Sequence, residues 1–282
     1  MRALWVVFWA GYVLVRGVPF DRATQLLIIV SAAFAFSWGV PGAKVRAVRD
    51  WLPFFGFLYG YDFSRGAADT LGYPVRVAEI YNIELRWFAL QGKIPTLWLQ
   101  QRLYDPQHVA WWESLVALMY CSHFVVPWAV VGYLYIVDRR RWSAFARRIL
   151  TISFAALVTY VVVPAAPPWY AARAGLTDHI ARISTRGWSA LHIDIAGQLV
   201  SLGQGVVNQV AAIPSLHAGT AFTIAMFFWP TANRWMRALY VVYPAFMVFT
   251  LVYGGEHYVF DALLGALYAV VVEVGCRLWE RG

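Results

Sequence analysis

The chain has 282 residues, of which 61% are hydrophobic and 13% charged, where a soluble domain carries roughly 25% charged residues. That balance, with a mean hydropathy of +0.56, excludes an ordinary soluble globular protein. The net charge of +8 comes from arginines that flank apolar runs and build no soluble basic face, which argues against a nucleic-acid partner.

Apolar runs of about 18 or more residues recur, each long enough to cross a hydrocarbon core about 30 Å thick. In chain order they predict crossings near 3–20, 23–41, 50–68, 112–136, 149–167, 213–230, 238–255 and 257–277. The chain therefore reads as an all-α polytopic transmembrane bundle, divided into N-terminal membrane and interfacial helices over 1–111 and a catalytic core over 112–282. Arg2 and the apolar residues after it resemble a signal peptide, but no small-residue cleavage site stands around Val15-Arg16-Gly17, so the segment is expected to remain as a span. The third run is the weakest: Trp51 to Tyr61 is a short aromatic stretch before Asp62 and Arg65, which either crosses or lies in the interface. Residues 69–111 alternate charged with apolar residues, a composition suited to interfacial helices that roof a site at the membrane surface.

Arginine placement sets the orientation, because cytoplasmic loops retain Lys and Arg. The cluster at 138–148 is read as a cytoplasmic loop, with Lys44, Arg46 and Arg49, then Arg234 and Arg237, then Arg277 and Arg281 on the same side. Alternation then sends 69–111 and 168–212 to the extracytoplasmic face. The starts of the segments carrying His217 and His257 lie there too, which points to a plasma-membrane enzyme working on the outer face. Cys121 and Cys276 fall inside predicted spans, far apart in sequence, and support neither a disulfide framework nor a cysteine metal site.

Two stretches bear the chemistry. In Ile-Pro-Ser-Leu-His-Ala-Gly at 213–219, Pro214 and Ser215 precede a helix whose first amides suit an anion, so Ser215 is a phosphate-binding candidate. His217 sits in the first turn, placed to protonate a leaving group. In Gly-Glu-His-Tyr-Val-Phe-Asp at 255–261, His257 and Asp261 are four apart and share a helix face. A carboxylate on one ring nitrogen fixes the tautomer and leaves the other nitrogen nucleophilic. A metal site built from His217, His257 and Asp261 is the rival reading; neither His-Glu-x-x-His nor Cys-x-x-Cys is present to support it. No cofactor is expected.

Pro214-Ser215-Leu216-His217 resembles the Pro-Ser-x-His signature of the type 2 phosphatidic acid phosphatase superfamily, and His257-x-x-x-Asp261 the end of its third signature. Pro-Ser-Leu-His-Ala-Gly followed by Gly-Gly-Glu-His-Tyr-Val-Phe-Asp is closer to the branch of inositol phosphorylceramide synthases and their bacterial relatives, over about 112–278. The resemblance implies a six-helix core and a metal-free mechanism. In it His257 takes the phosphoryl group, Asp261 orients it and His217 protonates the departing oxygen. The second substrate is water in the phosphatases, or a lipid or sugar hydroxyl in the transferases.

The match is incomplete. The superfamily's third signature opens with Ser-Arg six or seven residues before its His, where this chain has Thr250 and Leu251, so that phosphate-binding arginine is missing. Arg173 is the candidate replacement, with an interfacial anchor as the alternative. His123, beside Ser122 and Pro127, either contacts the headgroup or hydrogen-bonds between helices. Asp62, Arg65 and Asp69 either bind polyol hydroxyls or pair among themselves. His108, His179 and His192 have no partner spacing and are expected in solvent. The reading is a membrane phosphotransferase that moves a phosphorylated headgroup, inositol phosphate from phosphatidylinositol being the specific expectation, from a phospholipid donor to a lipid or polyol acceptor. A lipid or polyprenyl phosphate phosphatase is the alternative enzyme. A transporter or scaffold would instead place ionisable residues at mid-span in several helices.

Overall fold

A computed structural model describes residues 1–16, 22–36, 38, 42–67, 72–198 and 209–281, without the side chains of 14, 22, 23, 25, 26, 29, 33, 43, 44 and 61–67. The helices are α1 (Arg2–Arg16), α2 (Arg22–Phe36), α3 (Ala43–Ala67), α4 (Ala78–Phe88), α5 (Pro95–Leu103), α6 (Glu113–Val137), α7 (Arg139–Val162), α8 (Pro168–Arg173), α9 (Leu216–Phe228), α10 (Arg234–Tyr253) and α11 (Val259–Trp279). Extended backbone among the described residues amounts to isolated bridges that tie 165 to 76 and 211, and 90 to 93.

Four of these helices, α6, α7, α10 and α11, are long and apolar enough to cross a membrane. Among the described residues the other four predicted crossings form no helix that meets that measure. Helices α1 and α2 have 15 residues each, and α3 has 25 with Pro53 inside it. The predicted crossing at 213–230 shrinks to the 13 residues of α9, about 20 Å of helix. The chain enters it through a cis Ile213–Pro214 bond and leaves through a 3₁₀ turn at Trp229–Thr231.

Helix α9 is short because it lies inside the bundle. Its chief neighbour is α11, approached through glycines: a Cβ on Gly265 would lie 2.3 Å from the Ser215 carbonyl oxygen, and one on Gly219 would lie 3.2 Å from the Gly265 carbonyl oxygen. Small residues permit this separation in lipid, where close van der Waals packing rather than water exclusion holds helices together. Helices α6, α7 and α10 complete the wall around α9, and α3 packs along α7 with Trp51, Phe54 and Leu58 in one cluster with Trp142, Phe145 and Ile149.

The arginine-rich stretch 138–148 is not the loop expected from sequence. Asp138 ends α6 and caps α7, its carboxylate accepting from the Arg141 amide at 3.0 Å, and Arg139 already begins the helix. The stretch is amphipathic: Trp142, Phe145 and Ala146 are buried between the arginines, which are themselves good helix formers. Arg148, also read as loop charge, is 3% exposed and donates to Glu273 at 2.6 Å and to Glu280 at 2.7 Å. Asp50 pairs with Arg139, which brings the start of α3 to the same end. The bundle therefore has an arginine end, and an opposite end where α6, α9 and α11 begin and α7 and α10 finish.

That opposite end is covered by α4, α5, α8 and a 3₁₀ helix at Arg186–Leu191. Ile80, Leu97, Trp169, Ile180, Ile213 and Tyr258 form one buried cluster beneath them. Gln100 of α5 fastens the cover, donating to the Ala181 and Tyr253 carbonyls at 2.8 Å each and accepting from the Ala181 amide at 3.0 Å. Within 69–111 the chain forms α4 and α5, which pack over this end of the bundle.

Candidate active site

His217 is the second residue of α9. Ser215 caps that helix, with its hydroxyl accepting from the Ala218 amide at 3.4 Å, and its own amide donates to the Asp261 carbonyl at 3.0 Å. Ser215 is fully buried, and Tyr160 donates to the neighbouring Pro214 carbonyl at 2.8 Å. Half-buried His217 is held by rings of α6. Tyr120 stacks on it at 5.0 Å between centroids, and His123 lies at 3.9 Å. His123 Nδ1 is 3.0 Å from Thr220 Oγ1. The Thr220 hydroxyl donates to the Leu216 carbonyl at 2.7 Å, so it accepts from His123, which assigns the proton to Nδ1. His123 is therefore both an interhelical hydrogen-bond residue and a wall of the site.

His257 comes from the turn between α10 and α11. Gly255 has φ +78° and a Cβ there would lie 2.9 Å from the Ala181 carbonyl, so the turn accepts only glycine. The amides of Glu256 and His257 both donate to the Leu251 carbonyl, at 3.0 and 3.3 Å. The i,i+4 reasoning for His257 and Asp261 needs correction: His257 precedes α11, whose N-cap is Tyr258. What joins the pair is the cap itself. Asp261, at the third helical position, folds back to accept from the Tyr258 amide at 2.9 Å, and the same Oδ2 lies 3.4 Å from His257 Nδ1. Asp261 is fully buried and His257 is 8% exposed. The His217 and His257 rings are 5.8 Å apart, close enough for one phosphoryl group to touch both.

Three carboxylates and an arginine that sequence reasoning passed over complete this end. Fully buried Glu84 reaches from α4 to cap α11, accepting from the Val259 and Phe260 amides at 2.9 and 3.0 Å. Burial pushes its carboxyl up to about 7; those two hydrogen bonds oppose the shift and the nearby Asp261 carboxylate adds to it. Glu256 is clamped by Arg182, whose Nε and Nη2 lie 2.8 to 3.0 Å from its oxygens, and by the Ser184 hydroxyl at 2.6 Å. Burial works against the Arg182 charge, yet Glu256 outweighs it and holds the guanidinium above its ordinary value, with Tyr120 also in reach. Glu113, the third, accepts from the Tyr253 hydroxyl at 2.8 Å. Only Glu256 had a sequence signal, its place beside His257.

Arg173 ends α8, exposed, with its guanidinium 5.2 Å from the Trp169 ring. Among the described residues no hydrogen bond or ion pair joins it to His217, His257 or Asp261. It lines, with Arg182 and His179, a pocket of about 530 Å³. His108, His179 and His192 are exposed, as expected. The side chains of Asp62 and Arg65, and Asp69 entirely, lie outside the described residues.

The PAP2 superfamily sequence model matches residues 93–274, which contain every residue of the His217, His257 and Asp261 cluster. The chain belongs to the PAP2 superfamily. The match begins at Lys93, two residues before α5. A protein of Bacteroides thetaiotaomicron described as phosphoinositol dihydroceramide synthase is 27% identical over 265 residues, covering 93% of this chain and 85% of its own. No solved structure gives a significant match. This PAP2-superfamily member is an integral membrane enzyme acting on lipid phosphates, and its synthase relative fits the inositol phosphorylceramide synthase-like branch. Its membrane lipid chemistry is that of a phosphotransferase or phosphatase.

Proposed function

We propose that the enzyme transfers a phosphorylated headgroup between lipids through a phosphohistidine, with phosphatidylinositol as donor. The observation that carries this reading is the His217–His257 pair, 5.8 Å apart, with buried Asp261 behind His257. In the first step His257 Nε2 forms a bond to phosphorus, the bond from phosphorus to the glyceride oxygen breaks, and His217 gives that oxygen its proton. In the second, an acceptor hydroxyl oxygen bonds to phosphorus, its proton goes to His217, and the N–P bond breaks. Asp261 holds Nδ1 so that Nε2 faces the phosphate.

The relative's description, phosphoinositol dihydroceramide synthase, supports an inositol phosphate headgroup and a lipid hydroxyl as acceptor. A site opposite the arginine end, taken with the retention of arginines in the cytoplasm, supports an extracytoplasmic, plasma-membrane reaction. Ser215 orders the start of α9, and His123 flanks the reacting ring. Among the described residues no three His, Cys, Asp or Glu side chains are grouped to hold a metal ion, which is compatible with chemistry done by side chains.

The test is to incubate purified protein with phosphatidylinositol labelled in its phosphate, with and without ceramide-type or polyol acceptors. A new acceptor-dependent phospholipid is the expected product. Free inositol phosphate formed regardless of acceptor would replace transfer with hydrolysis.

A further inference from the structure

The pocket beside the histidine turn is built from α8 and the 179–182 segment, off the spanning helices. Its volume of about 530 Å³ falls in the range of roughly 300–1,000 Å³ typical of small-ligand sites. Two links tie it to the catalytic turn. Arg182 forms part of its wall and grips Glu256, the residue before His257, and the Trp169 amide donates to the Gly255 carbonyl at 3.4 Å.

Its lining is rich in donors and poor in anions. Arg173, Arg182, His179 and Gln209 contribute to it, and no carboxylate among the described residues does. Glu256, behind Arg182, is already taken by Arg182 and Ser184. Arg173 lies over the Trp169 ring, and among the described residues no carboxylate pairs with it. An ammonium headgroup entering here would meet guanidinium groups with nothing to balance its charge. A headgroup bristling with hydroxyl or phosphate oxygens would instead meet donors, including the guanidinium fork of Arg173.

Headgroup transfer demands such a pocket. While the phosphorus is on His257 the glyceride departs and the acceptor enters, both along the membrane, and the headgroup alone must stay. We propose that this pocket retains the polyol headgroup through both steps, and that Arg173 contacts the headgroup and rejects amine-bearing ones. The assignment rests on the transfer reading above. It moves Arg173 from the phosphate to the group beyond it, and places donor selection at the extramembrane end rather than among the lipid tails.

The test reads binding, so that it stands apart from turnover. Detergent-solubilised protein is titrated with glycerophosphoinositol and with glycerophosphoethanolamine, following intrinsic tryptophan fluorescence and the thermal midpoint. Wild type should bind the inositol compound at least about tenfold more tightly than the ethanolamine one, and Arg173→Gln should lose about tenfold in affinity for the former. Arg173→Glu should narrow or reverse the preference. Because Arg173 is exposed, both variants should keep the wild-type midpoint without ligand. Equal affinities for the two compounds, or an Arg173→Gln protein that binds the inositol compound as wild type does, would overturn the assignment. Binding as expected without transfer of labelled headgroup would keep the pocket and remove the transfer reading.

Discussion

Replacing Glu84 by Gln isolates a charge that the fold tolerates poorly. Its carboxylate caps α11 from another helix, fully buried, and its value is pushed up from 4.5 to about 7. The folded protein thus holds a proton there that the unfolded chain has released, over the interval between those values. Stability from this group is complete below about 4.5 and falls as the pH rises through about 7. The gap corresponds to on the order of 3 kcal/mol, or several degrees in thermal midpoint for a chain of this size. Gln cannot ionise, and it offers one acceptor to two amides, so the variant carries a constant cost of about 1–3 kcal/mol for the unsatisfied amide. The two effects separate by slope: the wild-type midpoint, measured by scanning fluorimetry in detergent from pH 5 to 8, should fall by several degrees relative to that of Glu84→Gln. Histidines titrating in this window affect both proteins and cancel in the difference. Parallel curves would refute the idea that Glu84 ionises in the folded state near neutral pH.

His257→Ala should lose activity by on the order of 10⁴-fold or more while eluting as a folded protein in detergent; turnover near wild type would end the covalent mechanism. His217→Ala should lose about 10²–10⁴-fold with a natural donor and much less with a nitrophenyl phosphodiester, whose leaving oxygen needs no proton; equal losses on both would deny it the acid role. Headgroup transfer should survive EDTA within about twofold, and activity lost to the chelator and restored by zinc or magnesium would replace the side-chain mechanism. In a background lacking Cys121 and Cys276, a cysteine at Asp178 should react with an impermeant thiol reagent on intact cells and one at Arg140 only after lysis; the reverse would move the site to the cytoplasmic face.

The long apolar helices were legible because burial in lipid demands unbroken runs: α6 and α11 begin and end within one or two residues of expectation. The start of α7 was not, since Arg139 to Arg148 reads as loop charge until its partners are known. Glu273 and Glu280 lie more than 120 residues away in sequence. His217 and His257 stood out because imidazole beside Pro-Ser or before an i+4 carboxylate is costly in a membrane without purpose. Their support was illegible for the opposite reason. Glu84 caps a helix 175 residues on, and Arg182 reaches Glu256 across 74; an acid in α4 or an arginine in a long connection has no local pattern to betray it. The capping role of Asp261 was hidden too, because helix spacing predicted the same His257 contact by another route.

The charge around the histidines bears on the choice between hydrolysis and transfer. Where the superfamily's third signature has its arginine, this chain has Thr250 and Leu251, both fully buried, with Leu251 packed near Tyr120 and Met247. A guanidinium at position 251 would enter a closed apolar contact. Positive charge arrives instead from the 174–212 connection as Arg182, and Glu256 balances most of it. A phosphomonoester bears up to two negative charges at neutral pH, a diester one, so a site whose nearest arginine is already paired stabilises the monoester less. The same clamp fixes the residue before His257 and thereby the ring. Arg182 thus acts on the placement of His257 through Glu256, and the charge balance it leaves supports the proposed diester donor over a monoester substrate.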